Sequence, residues 1–204
     1  MYSRIIIASL NEGKMREFQS LLRVAGLPLV PAVDAGIRDF PDEVGETFAD
    51  NALAKATFVA RKTRQPAIAD DSGIVVDALD GAPGVRSARF GEPGWGDFER
   101  NKLLLEVLSD IPPEKRTARF VAAVALVAPN GVIRQTSGTL EGRIALRPHG
   151  QNGFGYDAIF VPEGEERTFA QMSEEEKNTI SHRAHAIADM RPYLLALQSE
   201  RWER

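Results

Sequence analysis

The chain has 204 residues, of which 43% are hydrophobic and 26% charged, and it carries a formal net charge of −4 with no cysteine. That length buries a core without disulfides or structural metals, and the acidic balance excludes a general polyanion-binding surface, so no nucleic-acid polymer is expected and any anionic ligand must be held by local donors. The longest apolar run, Phe120 to Ala128, is far short of the ~20 residues that cross a bilayer, and the first apolar stretch is too short for a signal peptide. A cytoplasmic protein without a membrane partner is expected, folded as one domain over residues 1–204 because no repeat, low-complexity tract or long linker divides it.

In chain order, Arg4 to Ser9 predicts a short buried strand. Asn11 and Gly13 mark a turn into an amphipathic helix from Lys14 to Val24, with Met15, Phe18, Leu21 and Leu22 on one side. Leu29 to Val33 predicts a second strand, confined to a sheet edge by Pro31. An acidic loop, Asp34 to Glu46, leads into a helix over Thr47 to Lys62 with an apolar stripe of Ala49, Ala52, Leu53, Ala56, Val59 and Ala60. Ala67 to Ala69 predicts a buried strand that ends at Asp70 and Asp71, and Gly81 to Gly84 a turn cluster. Phe98 to Leu108 reads as a helix stopped by Pro112 and Pro113. Arg119 to Ala128 and Val132 to Thr139, joined by Pro129-Asn130-Gly131, read as a hairpin. A glycine-rich loop, Gly150 to Gly155, precedes a strand from Ala158 to Val161. Ser173 with Glu176 forms a capping box, and a helix follows from Ser181 to Leu197 with a kink at Pro192. Early alternation of strands and helices followed by a hairpin indicates an α/β protein with a mixed sheet.

Five segments carry candidate chemistry. Ser9-Leu10-Asn11-Glu12-Gly13-Lys14 takes a strand into a helix N-terminus, where backbone N–H groups and a lysine suit phosphate; it also fits a plain cap with a solvated lysine. Asp42, Glu43, Glu46 and Asp50 offer oxygen ligands of the kind Mg²⁺ prefers, or simply complement a helix dipole. Asn51 and Lys55 share one helix face at i and i+4. Asp70 and Asp71, followed by Ser72 and Gly73, are adjacent like charges that call for a cation, and one of them can then deprotonate a water. In Gly153-Phe154-Gly155-Tyr156-Asp157 the aromatics suit either a stacking platform for a base or the core. Lys177, Ser181, His182 and Arg183 supply hydrogen-bond donors.

Taken together these segments resemble the inosine triphosphate pyrophosphatase family, in its bacterial dITP/XTP pyrophosphatase branch. The resemblance rests on Ser9-x-Asn11-x-x-Lys14-x-x-Glu17, Thr47-Phe48-x-x-Asn51-Ala52-x-x-Lys55-Ala56, Ala69-Asp70-Asp71-Ser72-Gly73, Gly81 to Arg89, Gly153 to Asp157 and Ser181-His182-Arg183, in that order. It implies an elongated mixed β-sheet with flanking helices, two lobes around a central active-site cleft, a homodimer, and Mg²⁺-dependent hydrolysis of ITP, dITP and XTP to the monophosphate and pyrophosphate. It further implies Asp71 as general base and metal contact, with Asp42 and Glu43 as the other metal acids. Relatives often have two glutamates at that place, and the shorter Asp42 binds through water or leaves the metal to Glu43. Ser9, Leu10, Asn11, Glu12, Gly13, Lys14, Lys55 and Ser72 fall on the phosphate side, and Phe154, Gly155, Tyr156, Asp157, Lys177, His182 and Arg183 on the base and ribose side. A nucleotide-binding sensor without turnover, a pyrophosphatase for other nucleotides and a phosphomonoesterase are the competing readings.

Overall fold

The structure is a computed structural model that describes residues 2, 4–22 and 28–197. Its elements are β1 (Ile5–Ile7), α1 (Glu12–Leu21), β2 (Leu29–Pro31), α2 (Phe48–Thr63), β3 (Ala67–Val76), α3 (Asp97–Val107), β4 (Thr117–Val127), β5 (Ile133–Ile144), β6 (Phe160–Pro162), α4 (Glu174–Ile180) and α5 (His182–Ala196), with short 3-10 turns between them. The strands form one mixed sheet in the order β2-β1-β3-β4-β5-β6. β1 runs parallel to both β2 and β3, and β5 antiparallel to β6. Pro31 sits on the edge strand, where its missing N–H breaks no ladder. β4 and β5 are neighbours joined by the Pro129–Gly131 turn, in which the Gly131 N–H donates to the Ala128 carbonyl. The predicted end of the first helix, at Val24, lies outside the described residues.

Residues 1–71, 122–138 and 183–204 make one compact unit, and residues 72–121 and 139–182 a second. In the first unit the sheet is buried on both faces, which is why β4 reads as an uninterrupted apolar run rather than an alternating one. On one face Ile5, Ile7, Ile68, Val124 and Leu126 pack with Phe18 of α1 and Ala186, Met190 and Leu194 of α5. Residues one step along the same strands, Ile6, Ala67, Ala69, Ala123 and Ala125, pack with Ala52, Ala56 and Val59 of α2. In the second unit Ile74, Val76, Phe120, Ile144, Phe160 and Phe169 surround Leu104 and Leu108.

Two expectations need correction. β3 does not stop at the aspartates but continues through Asp70, Asp71, Ser72 and Gly73 to Val76, with both carboxylates buried in the strand. It can do so because each charge meets its own counter-ions, as set out below. Ala49 is exposed, so the apolar stripe of α2 starts at Ala52, and its buried face includes the polar Asn51 and Lys55.

Alanines face alanines where α2 meets the sheet. We therefore expect Ala56→Leu to overpack that face and cost about 1–3 kcal/mol; an unshifted urea unfolding midpoint would show that the contact tolerates the extra volume.

Candidate active site

Ser9 and Asn11 close the turn between β1 and α1. The Asn11 N–H donates to Ser9 Oγ at 3.2 Å, and Asn11 Oδ1 caps the helix by accepting the Lys14 N–H at 2.9 Å. Asn11 is thus the helix cap that its residue type suggests. Leu10, Asn11 and Glu12 are exposed, Ser9 is half-buried and Gly13 is buried. Lys14 is not a solvated charge: its side chain is 15% exposed and its Nζ lies 3.4 Å from Asp70 Oδ1.

Pleating sends Asp70 and Asp71 to opposite faces of β3. Asp70 lies on the face of α1 and α5. Its Oδ2 accepts from Arg183 Nε at 3.2 Å and Nη2 at 2.9 Å, and Arg183 Nη1 donates to Glu17 of α1. Burial alone would raise the Asp70 pKa, but Arg183, Lys14 and Lys55 outweigh it and hold the carboxyl far below the usual aspartate range. Asp70 is therefore held toward its charged form.

Asp71 lies on the face of α2. Asn51 Nδ2 donates to its Oδ2 at 3.1 Å, and Lys55 Nζ donates to its Oδ1 at 3.1 Å and to Glu43 Oε1 at 2.8 Å. Burial pushes the Asp71 pKa up by more than Lys55 and Lys14 bring it down, and Glu43 adds to the rise. For Lys55 the balance is reversed: burial would lower its pKa, but Asp71, Asp70 and Glu43 together raise it. Lys14 ends lowered, because burial outweighs Asp70. Adjacent residues thus become an anchored anion and a carboxylate with raised proton affinity.

The acidic loop is tied to this face through Gly45, whose N–H donates to Asn51 Oδ1 at 2.9 Å. A Cβ on Gly45 would stand 2.5 Å from that oxygen, so glycine is required for the approach. With its oxygen held by Gly45, the Asn51 amide must turn its donor to Asp71.

The donor set for a cation follows. Glu43 and Asp71 converge on the same Lys55 Nζ, whereas Asp42 is exposed, and among the described residues no three acids or histidines gather as a metal site. Two carboxylates fit Mg²⁺, which commonly takes one or two protein carboxylates and completes its shell from substrate and water.

The second unit holds the other predicted residues, with Arg183 excepted. Asp157 is buried; its Oδ2 accepts the Phe154 N–H at 2.9 Å and pairs with Lys177 Nζ. Lys177 Nζ lies 4.9 Å from the half-buried Phe154 ring. The Gly155 N–H donates to Asp97, and its carbonyl accepts from Asn101. A cavity of about 700 Å³ opens beside this loop, lined among others by Phe98, Asn101, Leu105, Phe154, Asp157 and Ala158. Ser72 is half-buried on β3. Tyr156 is a core residue, 4% exposed, whose hydroxyl donates to the Ser87 carbonyl. The Arg183 guanidinium meets Asp70 and Glu17 in the first unit. His182 is buried and stacks on Phe120 with ring centres 4.7 Å apart.

Residues that sequence reasoning left without a role are Glu17, Gly45 and Asn51. Glu17 stands three positions after Lys14 and Asn51 four before Lys55, spacings that put each pair on one helix face; nothing local marks Gly45.

A mixed α/β sheet whose third strand buries two adjacent aspartates, Asp70 against Arg183 and Lys14 and Asp71 against Asn51 and Lys55, defines an α/β protein with a charged interior site. The chain belongs to the Ham1 family, whose sequence profile matches residues 5–193. A dITP/XTP pyrophosphatase of Symbiobacterium thermophilum is 49% identical over 199 residues, which cover 97% of this chain and 98% of the relative. Another from Frankia alni is 47% identical, over 92% of this chain and 95% of the relative. Among solved structures, a HAM1 protein from Coxiella burnetii superposes with a TM-score of 0.85 at 39% identity, covering 95% of this chain and 98% of its own.

The two aspartates should differ under the same substitution. Asp70→Asn leaves Arg183 and Lys14 short of a buried partner and should cost about 3–5 kcal/mol, whereas Asp71→Asn removes a carboxylate that burial disfavours and should cost less than about 1 kcal/mol. Thermal unfolding of both proteins checks this, and equal losses would contradict the division of roles.

Proposed function

We propose that this chain hydrolyses dITP, ITP and XTP to the monophosphate and pyrophosphate, as a Mg²⁺-dependent enzyme that clears aberrant purine nucleotides. It acts in this reading as a single two-lobed domain, a cytoplasmic homodimer. No described helix is long and apolar enough to cross a membrane. The relatives above bear the dITP/XTP pyrophosphatase name, and the observation in this chain that carries the reading is the separation of Asp70 from Asp71. A base needs a carboxylate that accepts a proton, and Asp71 is the one whose pKa is raised.

The residues of the first unit then divide the work. Lys14 and Lys55 bind the triphosphate, with Ser9 and the N–H groups at the start of α1 beside Lys14. Ser72 adds a hydroxyl to the phosphate side. Glu43 and Asp71 are the carboxylates that would hold Mg²⁺, whose chemistry there is neutralisation of phosphate charge. Asn51 fixes one Asp71 oxygen, and Asp71 orients the attacking water and takes its proton as the anhydride between the α- and β-phosphates opens. In the second unit, Phe154 presents a ring face to the base and Lys177, held by Asp157, stands over that ring. Hypoxanthine and xanthine carry a 6-oxo acceptor where adenine carries a 6-amino donor. Lys177, His182 or Arg183 supplies the matching donor, and adenine would leave it unpaired at a cost of about 1–3 kcal/mol.

Product analysis with dITP, XTP, dGTP and dATP, with and without Mg²⁺, tests the reading. Metal-dependent pyrophosphate release from dITP and XTP, largely absent for dGTP and dATP, is expected. Asp71→Asn should lower kcat by about 10²–10⁴-fold while the protein stays folded. Orthophosphate release would favour a phosphomonoesterase, equal cleavage of all four would remove the pool-cleansing role, and binding without turnover would leave a sensor.

A further inference from the structure

Four charged side chains alternate in sign through the first unit: Lys14, Asp70, Arg183 and Glu17. Glu17, Asp70 and Arg183 are 4%, 1% and 1% exposed, so solvent does little to screen them. The ring begins and ends on α1, because Lys14 and Glu17 stand three residues apart on one helix face.

The way Arg183 holds Asp70 is unusual for such a pair. An arginine facing a single carboxylate tends to place one N–H on each oxygen in a parallel fork. Here Nε and Nη2 both point at Oδ2, while Nη1 is drawn to Glu17. Asp70 Oδ1 accepts no hydrogen bond and lies 3.4 Å from Lys14 Nζ. Charge counting points the same way. Glu17, Asp70 and Arg183 alone would leave one uncompensated negative charge in the interior, which is costly; the Lys14 ammonium completes a neutral set. The other charges acting on Lys14 are Lys55 and Arg183, which repel it, and Asp71, which attracts it.

We infer that Glu17 is a positioning residue for substrate phosphate: by drawing Arg183 to one side of Asp70 it keeps the second Asp70 oxygen for Lys14, and so sets where that lysine stands. The inference rests on the phosphate role proposed for Lys14. Removing the Glu17 charge releases Nη1, Arg183 closes its fork over both Asp70 oxygens, and Lys14 loses its partner. A merely structural Glu17 would stabilise the protein without any special link to Lys14.

A double-mutant cycle on pyrophosphate affinity separates the two. Calorimetry on wild type, Glu17→Gln, Lys14→Met and the double variant should show Glu17→Gln weakening binding about tenfold in the wild-type background, and by no more than about twofold once Lys14 is Met. Glu17→Asp, which keeps the charge, should bind more tightly than Glu17→Gln, and Glu17→Ala carries the same cycle if Glu17→Gln does not fold. Equal weakening in both backgrounds, or no pyrophosphate binding by wild type, overturns the inference. Where the Lys14→Met proteins bind too weakly to measure, a crystal structure of the Glu17 variant decides: Arg183 on both Asp70 oxygens supports the inference, and an unchanged Lys14–Asp70 contact overturns it. Turnover of dITP by wild type is scored separately, so its absence removes the functional reading without touching the cycle.

Discussion

Two aspartates adjacent in a strand cannot share one environment, because pleating turns their side chains to opposite faces. In β3 that geometric necessity separates two chemistries. Asp70 faces α1 and α5 and meets Arg183 and Lys14; Asp71 faces α2 and meets Asn51 and Lys55. An unpaired carboxylate in either place would be prohibitively costly to bury. With its own partners on each side, the strand runs on through both.

The surrounding packing serves that arrangement. Alanines on α2 and on the facing strands pack together, in the same cluster face from which Asn51 and Lys55 reach Asp71. On the other side the large apolar residues of α1 and α5 bury the ionic ring of Lys14, Asp70, Arg183 and Glu17. Both helices therefore do two jobs, covering the sheet and delivering a counter-ion. Glu43 adds an acid to Lys55 from a loop held by Gly45, which leaves Lys55 between two carboxylates. The Asp71 pKa is raised, burial being the largest cause.

Much of this was legible along the chain because it is local. The helix caps at Asn11 and Ser173, an edge strand at Pro31 and the hairpin around Pro129–Gly131 follow from residue type and spacing, and the structure has each of them. What was not legible depends on partners distant in sequence. β3 looked finished at Asp70 because two carboxylates, a serine and a glycine resemble a turn; the charge that lets the strand continue comes from Arg183, 113 residues away. Lys14 could be read as a solvated lysine for the same reason, and the acids that Arg183 meets were equally out of sight. Tyr156 has the pattern of a stacking ring, but its hydroxyl finds the Ser87 carbonyl in the core. Asp42 and Glu43 are neighbours in sequence, and only Glu43 reaches Lys55.

The central claim is that neighbouring aspartates hold opposite protonation behaviour. A lowered carboxyl stabilises the fold above its ordinary value of about 3.9 and loses that contribution as pH falls through its folded pKa; a raised one begins to cost stability as pH rises through that ordinary value and costs most above its folded pKa. The direct measurement is an NMR titration of the aspartate side-chain carboxyl carbons, assigned through Asp70→Asn and Asp71→Asn. The account predicts that the Asp71 signal titrates above about 3.9 while Asp70 stays ionised throughout the range in which the protein is folded. A shared titration, or Asp70 taking up its proton first, would contradict it.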